Sequence, residues 1–234
     1  MKNILLGFIV IGLFTLVGCG TSKINTSTTT DVDGNTYKTV KIGTQEWMSE
    51  NLRITKYSDG TPIPNVTDNN QWTNLTTGAW CHYNNNSQHE ATYGKLYNWY
   101  AVNTNKLCPK GWHVPTDAEL TILTDYLSAN GHRRKTLDAL KSKSDWNYKS
   151  DGTSGNGTDD YGWFGLPGGY RYINGNFDYI GYGGYWWSSS EHDADDAWFP
   201  DDAWYRGLDD YDDYETIPRS TSKIYGFSVR CLRD

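Results

Sequence analysis

Carboxylates are the most concentrated reactive groups in this sequence. Between Glu191 and Glu215 lie eleven of them (Glu191, Asp193, Asp195, Asp196, Asp201, Asp202, Asp209, Asp210, Asp212, Asp213 and Glu215) against one base, Arg206, a local charge of −10. Trp198, Phe199, Trp204, Tyr205, Tyr211 and Tyr214 are interleaved, so the stretch is not a plain acidic tail. Carboxylates packed this densely repel one another unless water or a cation screens them. Three chemistries follow. A pair of exposed, solvated loops needs no ligand. A hard-cation site would use oxygens from Asp193, Asp195 and Asp196, with Ca2+ as the candidate ion. A glycosidase would need two carboxyls at a defined separation, which a sequence does not reveal.

Other chemistry-bearing residues are sparse. The histidines at 82, 89, 113, 132 and 192 have no ligand spacing, so packed or surface roles are expected for His82 and His113. Gly-x-Ser-x-Gly, Cys-x-x-Cys, His-Glu-x-x-His and the phosphate-binding Gly-x-x-x-x-Gly-Lys are all missing. Asp31-Val32-Asp33-Gly34-Asn35 lacks the third acidic position and distal Glu of a calcium loop, and is expected to be a turn. With 21 basic and 28 acidic residues the net charge is −7, which argues against nucleic acid as a partner.

A second candidate for binding is aromatic. From Tyr161 to Trp187 there are eleven aromatic residues and eight glycines in twenty-seven positions, a glycine density that excludes helix. Short strands are expected around Tyr170–Tyr172, Phe177–Tyr179 and Tyr185–Ser188. Trp186, Trp187 and Glu191 are the candidate ligand contacts, because apolar rings meet carboxylates at one strand end. Strand alternation would turn one tryptophan outward and the other inward. The rival reading is that these rings are simply core, since a Leu-poor domain must build its interior from Trp and Tyr. Arg171, Arg206 and Arg230, each beside aromatics, are expected to be structural hydrogen-bond and stacking partners rather than ligand clamps.

Several elements would position these residues. Thr36–Ile42 and Gln45–Met48 read as a hairpin, and Thr55–Asn86 as a long irregular stretch. Tyr93, Leu96, Tyr97, Tyr100 and Ala101 have helical spacing, predicting a helix over 93–102. Thr116 with Glu119 forms a capping box ahead of the stripe Leu120, Leu123 and Leu127, closed by Asn130-Gly131. A short third helix is expected over 134–141. The alternation in 226–232 predicts a final strand with Phe227, Val229 and Cys231 on one face.

The N-terminus reads as an address. Lys2 precedes an apolar run from Ile4 to Val17, a signal-peptide pattern, and Leu16-Val17-Gly18-Cys19 resembles a lipobox with Cys19 lipidated. Removal of 1–18 would leave 20 basic and 28 acidic residues, net −8, and thus about +2 outside the acidic stretch. Residues 19–30 are Ser/Thr-rich and are expected to be a flexible tether, with one folded domain over 31–234. The expected location is the cell envelope, lipid-anchored, with the outer membrane favoured.

Six motifs occur in order over that domain: Trp47–Leu52, Tyr93–Tyr100, Cys108–Glu119, Leu166–Arg171, Trp187–Glu191 and Gly226–Cys231. Together they resemble the Fibrobacter succinogenes major paralogous domain, found in lipoproteins and secreted proteins of Bacteroidetes and Fibrobacter-type bacteria, with no assigned activity. The resemblance implies an α+β, C-type-lectin-like fold, with two main helices on small antiparallel sheets and long Gly/Trp-rich loops. It also implies a disulfide between Cys108 and Cys231, with Cys81 left free or pairing in an alternative. Neither Glu-Pro-Asn nor Gln-Pro-Asp, the Ca2+-dependent sugar tripeptides of C-type lectins, is present. The close cysteine pair of formylglycine-generating enzymes is also missing. The expected function is therefore a membrane-anchored envelope lipoprotein acting as a non-catalytic binding module for glycan or protein. The alternatives are a structural part of an envelope assembly and a carboxylate-dependent carbohydrate-active enzyme.

Overall fold

The computed structural model describes residues 26–132, 136–192, 201–209 and 218–234. The expected signal segment, Cys19, and the candidate cation ligands Asp193, Asp195 and Asp196 lie outside the described residues.

In chain order the fold opens with β1 (Thr26–Thr30), β2 (Thr36–Ile42) and β3 (Gln45–Met48), followed by helix α1 (Asn69–Thr73). Strand β4 (Trp80–Cys81), helix α2 (Glu90–Tyr93), strand β5 (Leu96–Tyr97) and helix α3 (Trp99–Val102) come next. Strand β6 (Trp112–His113) leads into α4 (Asp117–Leu127) and α5 (Thr136–Leu140). The remainder is β7 (Gly168–Arg171), β8 (Phe177–Ile180), β9 (Gly183–Glu191), β10 (Asp202–Asp209), β11 (Arg219–Ser222) and β12 (Leu232–Arg233). Two five-stranded sheets result, ordered β1-β2-β3-β12-β6 and β11-β10-β9-β7-β8, with β4-β5 as a separate pair. The architecture is α+β. Among the described strand pairs only β7 with β9 is parallel, joined through Gly169 and Gly184.

Local chemistry explains the first hairpin. The Asp31 carboxylate accepts from the backbone N–H of Asp33 and Asn35, each at 2.9 Å, and from the Tyr37 hydroxyl at 2.6 Å, so the Asp-rich pentapeptide is a turn as expected. β2 and β3 then pair from Thr39–Met48 to Ile42–Gln45. The folded part begins before Asp31, however: β1 pairs with β2 along its whole length, and the Ser27 and Thr39 hydroxyls meet at 2.6 Å. Threonine-rich sequence suits an edge strand as well as a tether, because β-branched side chains favour extended backbone.

The capping box forms as the spacing predicts, with Thr116 accepting from the Glu119 N–H and Glu119 accepting from the Thr116 N–H. Leu120, Leu123 and Leu127 are buried, and Gly131 takes φ +97° at the end of the following turn. The predicted helix over 93–102 is not continuous. Gly94 adopts φ +74° where an added Cβ would sit 2.9 Å from the Leu52 carbonyl oxygen, and the Lys95 N–H donates to that oxygen at 3.1 Å. The chain is thus drawn into strand β5, and Asn98 starts a new short helix by accepting from the Ala101 N–H. Of the two main helices expected, only α4 is long.

The C-terminal segment also differs from its predicted pattern. Every residue from Gly226 to Leu232 is buried, so it has no solvent face. It runs between the sheets, bridging Gly226 to Arg171, Phe227 to Tyr97 and Ser228 to Trp186. The Leu52 and Met48 N–H groups donate to the carbonyls of Val229 and Cys231, at 2.9 and 3.0 Å. Regular strand pairing survives only at β12, which inserts between β3 and β6.

The interior is aromatic: Trp47, Trp72, Trp80, Trp99, Trp146, Trp163, Trp186 and Trp187 are all buried. Cys108 and Cys231 are disulfide-bonded across 123 residues of sequence, with Cα atoms 6.0 Å apart, while Cys81 is free and buried. Burial pushes the Cys81 thiol up to about 12. Non-reducing peptide mapping should therefore recover the Cys108–Cys231 peptide, and Cys81 should resist alkylation until the chain is denatured. Cys108→Ser with Cys231→Ser should lower unfolding stability by up to roughly 4–5 kcal/mol on the chain-entropy account, measured by denaturant titration.

Candidate functional site

Strand β9 divides the core into two layers. Tyr185 and Trp187 pack with Tyr97, Trp99 and Phe227, whereas Trp186 joins Trp163, Leu140 and Leu208 on the other face. Because both faces are covered, neither tryptophan is available: Trp186 is 2 % exposed and Trp187 0 %. The expectation that alternation would free one of them is overturned, since it holds only for a sheet with one wet face. Their indole N–H groups are also occupied, donating to Asn51 Oδ1 and to the Tyr97 carbonyl at 2.8 Å each. Glu191 is exposed at the far end of β9, about 20 Å along the strand from Tyr185 at roughly 3.3 Å per residue. It forms an ion pair with Lys223, which lies over the Trp99 ring at 5.2 Å.

A site of a different kind lies at the other end of the same sheet. Tyr170 from β7, Tyr179 from β8, Tyr185 from β9 and Tyr205 from β10 line a cavity of about 320 Å³ with Tyr225, Phe227, Asp209, Arg219 and Thr221. Tyr170 is its hub: it stacks on Tyr179 at 5.5 Å and meets Tyr185 edge-on at 5.2 Å. Phe227 closes the floor, 5.5 Å from Tyr185 and 4.9 Å from Tyr205. One wall is polar, with Arg219 Nη1 3.9 Å from the largely buried Asp209 carboxylate.

The backbone is bent to make this arrangement. Tyr179 has φ +67°, unusual for an aromatic residue. It sits between the Gly168–Ile180 and Tyr170–Asp178 pairs of the β7–β8 ladder. Gly169 on the facing strand is also left-handed, at φ +62°, and a Cβ there would be 2.4 Å from the Asp178 carbonyl oxygen. The paired distortion sets the Tyr179 ring against Tyr170.

Burial raises four of these phenols. Desolvation, with Asp178 and neighbouring tyrosines adding to it, pushes Tyr170 up to about 12, and Tyr185, Tyr205 and Tyr225 are raised by desolvation as well. The cavity therefore offers hydroxyl donors and ring faces at neutral pH. A larger cleft of about 610 Å³ includes Lys38, Glu50, Arg53, Asp145, Asp159 and Phe164. Three of its polar groups hold the fold: Arg53 bonds Glu50 at 2.9 Å, and Asp159 accepts from the Phe164 N–H at 2.8 Å.

The model of the Fibrobacter succinogenes major domain matches residues 40–233. The chain belongs to that family. No curated protein and no solved structure matches it. The matched span of this Fibrobacter succinogenes major domain contains both sheets from within β2 onward, and the whole tyrosine cavity.

The aromatic, Gly-rich region is legible in the sequence, but the two tryptophans expected at its surface are buried. The available signal was residue type: tyrosine, with a hydroxyl needing a partner, recurs at 170, 179, 185 and 205, whereas indole can be buried against a carbonyl. The other arginine and histidine expectations hold. Arg171 lies over Trp72 at 4.3 Å and Phe177 at 4.9 Å, Arg230 lies over Trp163 at 3.8 Å, and Arg206 pairs with Asp117. His82 contacts Glu90 at 2.7 Å, and His113 contacts Asp234 and Glu119. Among the described residues no group of three His, Cys, Asp or Glu side chains is placed to hold a metal ion.

The raised Tyr170 phenol has a consequence for stability. An acid held protonated by folding contributes fully below its unfolded value near 10, and that contribution is lost as pH rises through about 12. The melting temperature should thus fall less steeply between those limits in Tyr170→Phe than in the parent chain.

Proposed function

We propose that this chain is a lipid-anchored envelope protein whose domain binds glycan or protein without catalysis, and that its ligand enters the tyrosine cavity. The observation that carries the reading is the convergence of five tyrosines on one cavity beside a facing Asp209–Arg219 pair. Aromatic side chains with polar tips suit recognition because they supply contact area at small entropic cost while keeping a hydrogen-bonding group. The protonated phenols favour binding over acid–base work at neutral pH. A C-type-lectin-like arrangement of the two sheets, and outer-membrane placement, belong to the same proposal.

A structural role in an envelope assembly is the second reading. The burial of Trp186 and Trp187 favours it, since that removes the tryptophan surface from the ligand. Ca2+ held by Asp193, Asp195 and Asp196 stays a proposal in either case.

Two experiments test this. The full chain, displayed on a glycan array and against purified envelope proteins, should retain a ligand that Tyr179→Gly and Arg219→Ala fail to retain, with melting temperatures nearly unchanged. Equal retention by all three chains would place the ligand elsewhere, and no retention by the parent chain would favour the structural reading. Separately, Cys19→Ala should abolish incorporation of labelled lipid. Labelling that persists would overturn the anchor.

A further inference from the structure

We infer that the tyrosine cavity holds a single neutral sugar ring, without a bridging cation. This rests on the binding reading above and names the ligand class. The size comes first. At about 320 Å³ the cavity is at the small end of ligand sites, which run from about 300 to 1,000 Å³, so it admits one ring-sized group rather than an extended chain.

Its chemistry then selects among ring-sized groups. A sugar presents a C–H face that packs on an aromatic ring, and hydroxyls that must each find a partner once water is removed. The cavity supplies both: rings from Tyr170 and Tyr179, and a donor–acceptor wall from Arg219, Asp209 and Thr221. An apolar protein side chain would make no use of the donors and acceptors on this wall. A cationic group, the usual guest of an aromatic enclosure, would meet the guanidinium of Arg219, and an anionic one the carboxylate of Asp209. On the described lining an acid and a base face each other, an acceptor beside a donor, which suits a hydroxyl-bearing guest.

The bent backbone is an independent observation in the same direction. A tyrosine at φ +67° is less stable there than glycine, which adopts that conformation freely. Strain of this kind collects where a side chain must hold a set position for a ligand. Here it stacks Tyr179 on Tyr170 at the cavity.

The test is saturation-transfer NMR on the full chain with methyl glycosides of glucose, galactose, mannose and N-acetylglucosamine, each with and without EDTA. Choline and methyl glucuronide serve as charged comparators. Transfer to the ring C–H protons of at least one neutral glycoside, unchanged by EDTA, is expected. Tyr179→Gly and Arg219→Ala should each weaken its Kd by about tenfold or more, the first with an unchanged or higher melting temperature. Transfer only to a charged comparator, loss of the signal with EDTA, or no transfer to any probe would overturn the inference. If cavity-dependent retention of a larger glycan or a protein nevertheless persists, the binding reading stands and only the ligand class falls.

Discussion

A full positive charge in the interior must be solvated by the protein itself, and Arg230 imposes that requirement on the centre of this fold. Its guanidinium donates to the Trp163 carbonyl, to the Phe164 carbonyl at 3.3 Å and to Asn51 Oδ1 at 2.8 Å, and its flat face covers Trp163. Burial pulls its pKa down to about 9, against the opposing charges of Asp159 and Glu50. Meeting these bonds bends the chain: Phe164 takes φ +55° with its N–H on Asp159, so that two successive carbonyls turn inward. Asn51 is fixed from the other side, donating to the Tyr93 carbonyl and the Ser228 hydroxyl while accepting from Trp186. Segments 51, 163–164, 186 and 228–230 are thus joined through one charge. The next residue, Cys231, ties them covalently to Cys108.

The same device recurs around the core. Arg171 lies between Trp72 and Phe177 and donates to the carbonyls of Val66, Thr67 and Gly175. Lys141 covers Trp146 and donates to the Asp209 carbonyl, and Lys95 covers Trp80 while pairing with Glu90 at 2.7 Å. Cations on aromatic faces suit a domain poor in leucine, because the ring supplies both apolar area and a favourable field for charge. Indole N–H groups obey the corresponding rule. Those of Trp80, Trp99, Trp146 and Trp187 donate to backbone carbonyls. Trp72 and Trp163, whose N–H groups find no partner among the described residues, each carry a guanidinium group on their faces.

What could be read from the sequence follows from how locally each feature is determined. The β2–β3 hairpin, the Thr116–Glu119 box and the short strands near 170, 178 and 186 depend on turns, caps and glycines within a few residues, and they appear where expected. The segment over 93–102 was misleading because helical spacing of apolar residues also arises when a chain is buried on all sides, and the close approach of Gly94 to Leu52 is a tertiary fact. The Trp186–Trp187 pair misled for a related reason: alternation tells which residues share a face, but not whether the opposite face is covered. Arg230 was legible as a structural residue beside aromatics. Its tie to Asn51 spans 179 residues and leaves no trace in local pattern.

This division of labour explains why the tyrosine cavity is formed before any ligand arrives. Three of the lining residues belong to segments held from behind: Phe227 is bridged to Tyr97, Tyr185 is hydrogen-bonded across to Ser228, and Tyr205 pairs with Trp187 in the β9–β10 ladder. The tryptophans and buried cations therefore fix the positions of the tyrosines without taking part in the cavity. A ligand entering it would lose little free energy to ordering the protein, which is where preorganised sites gain affinity. The cost has been met in the fold instead, in the left-handed turn at Tyr179 and the glycine opposite it that cannot carry a side chain.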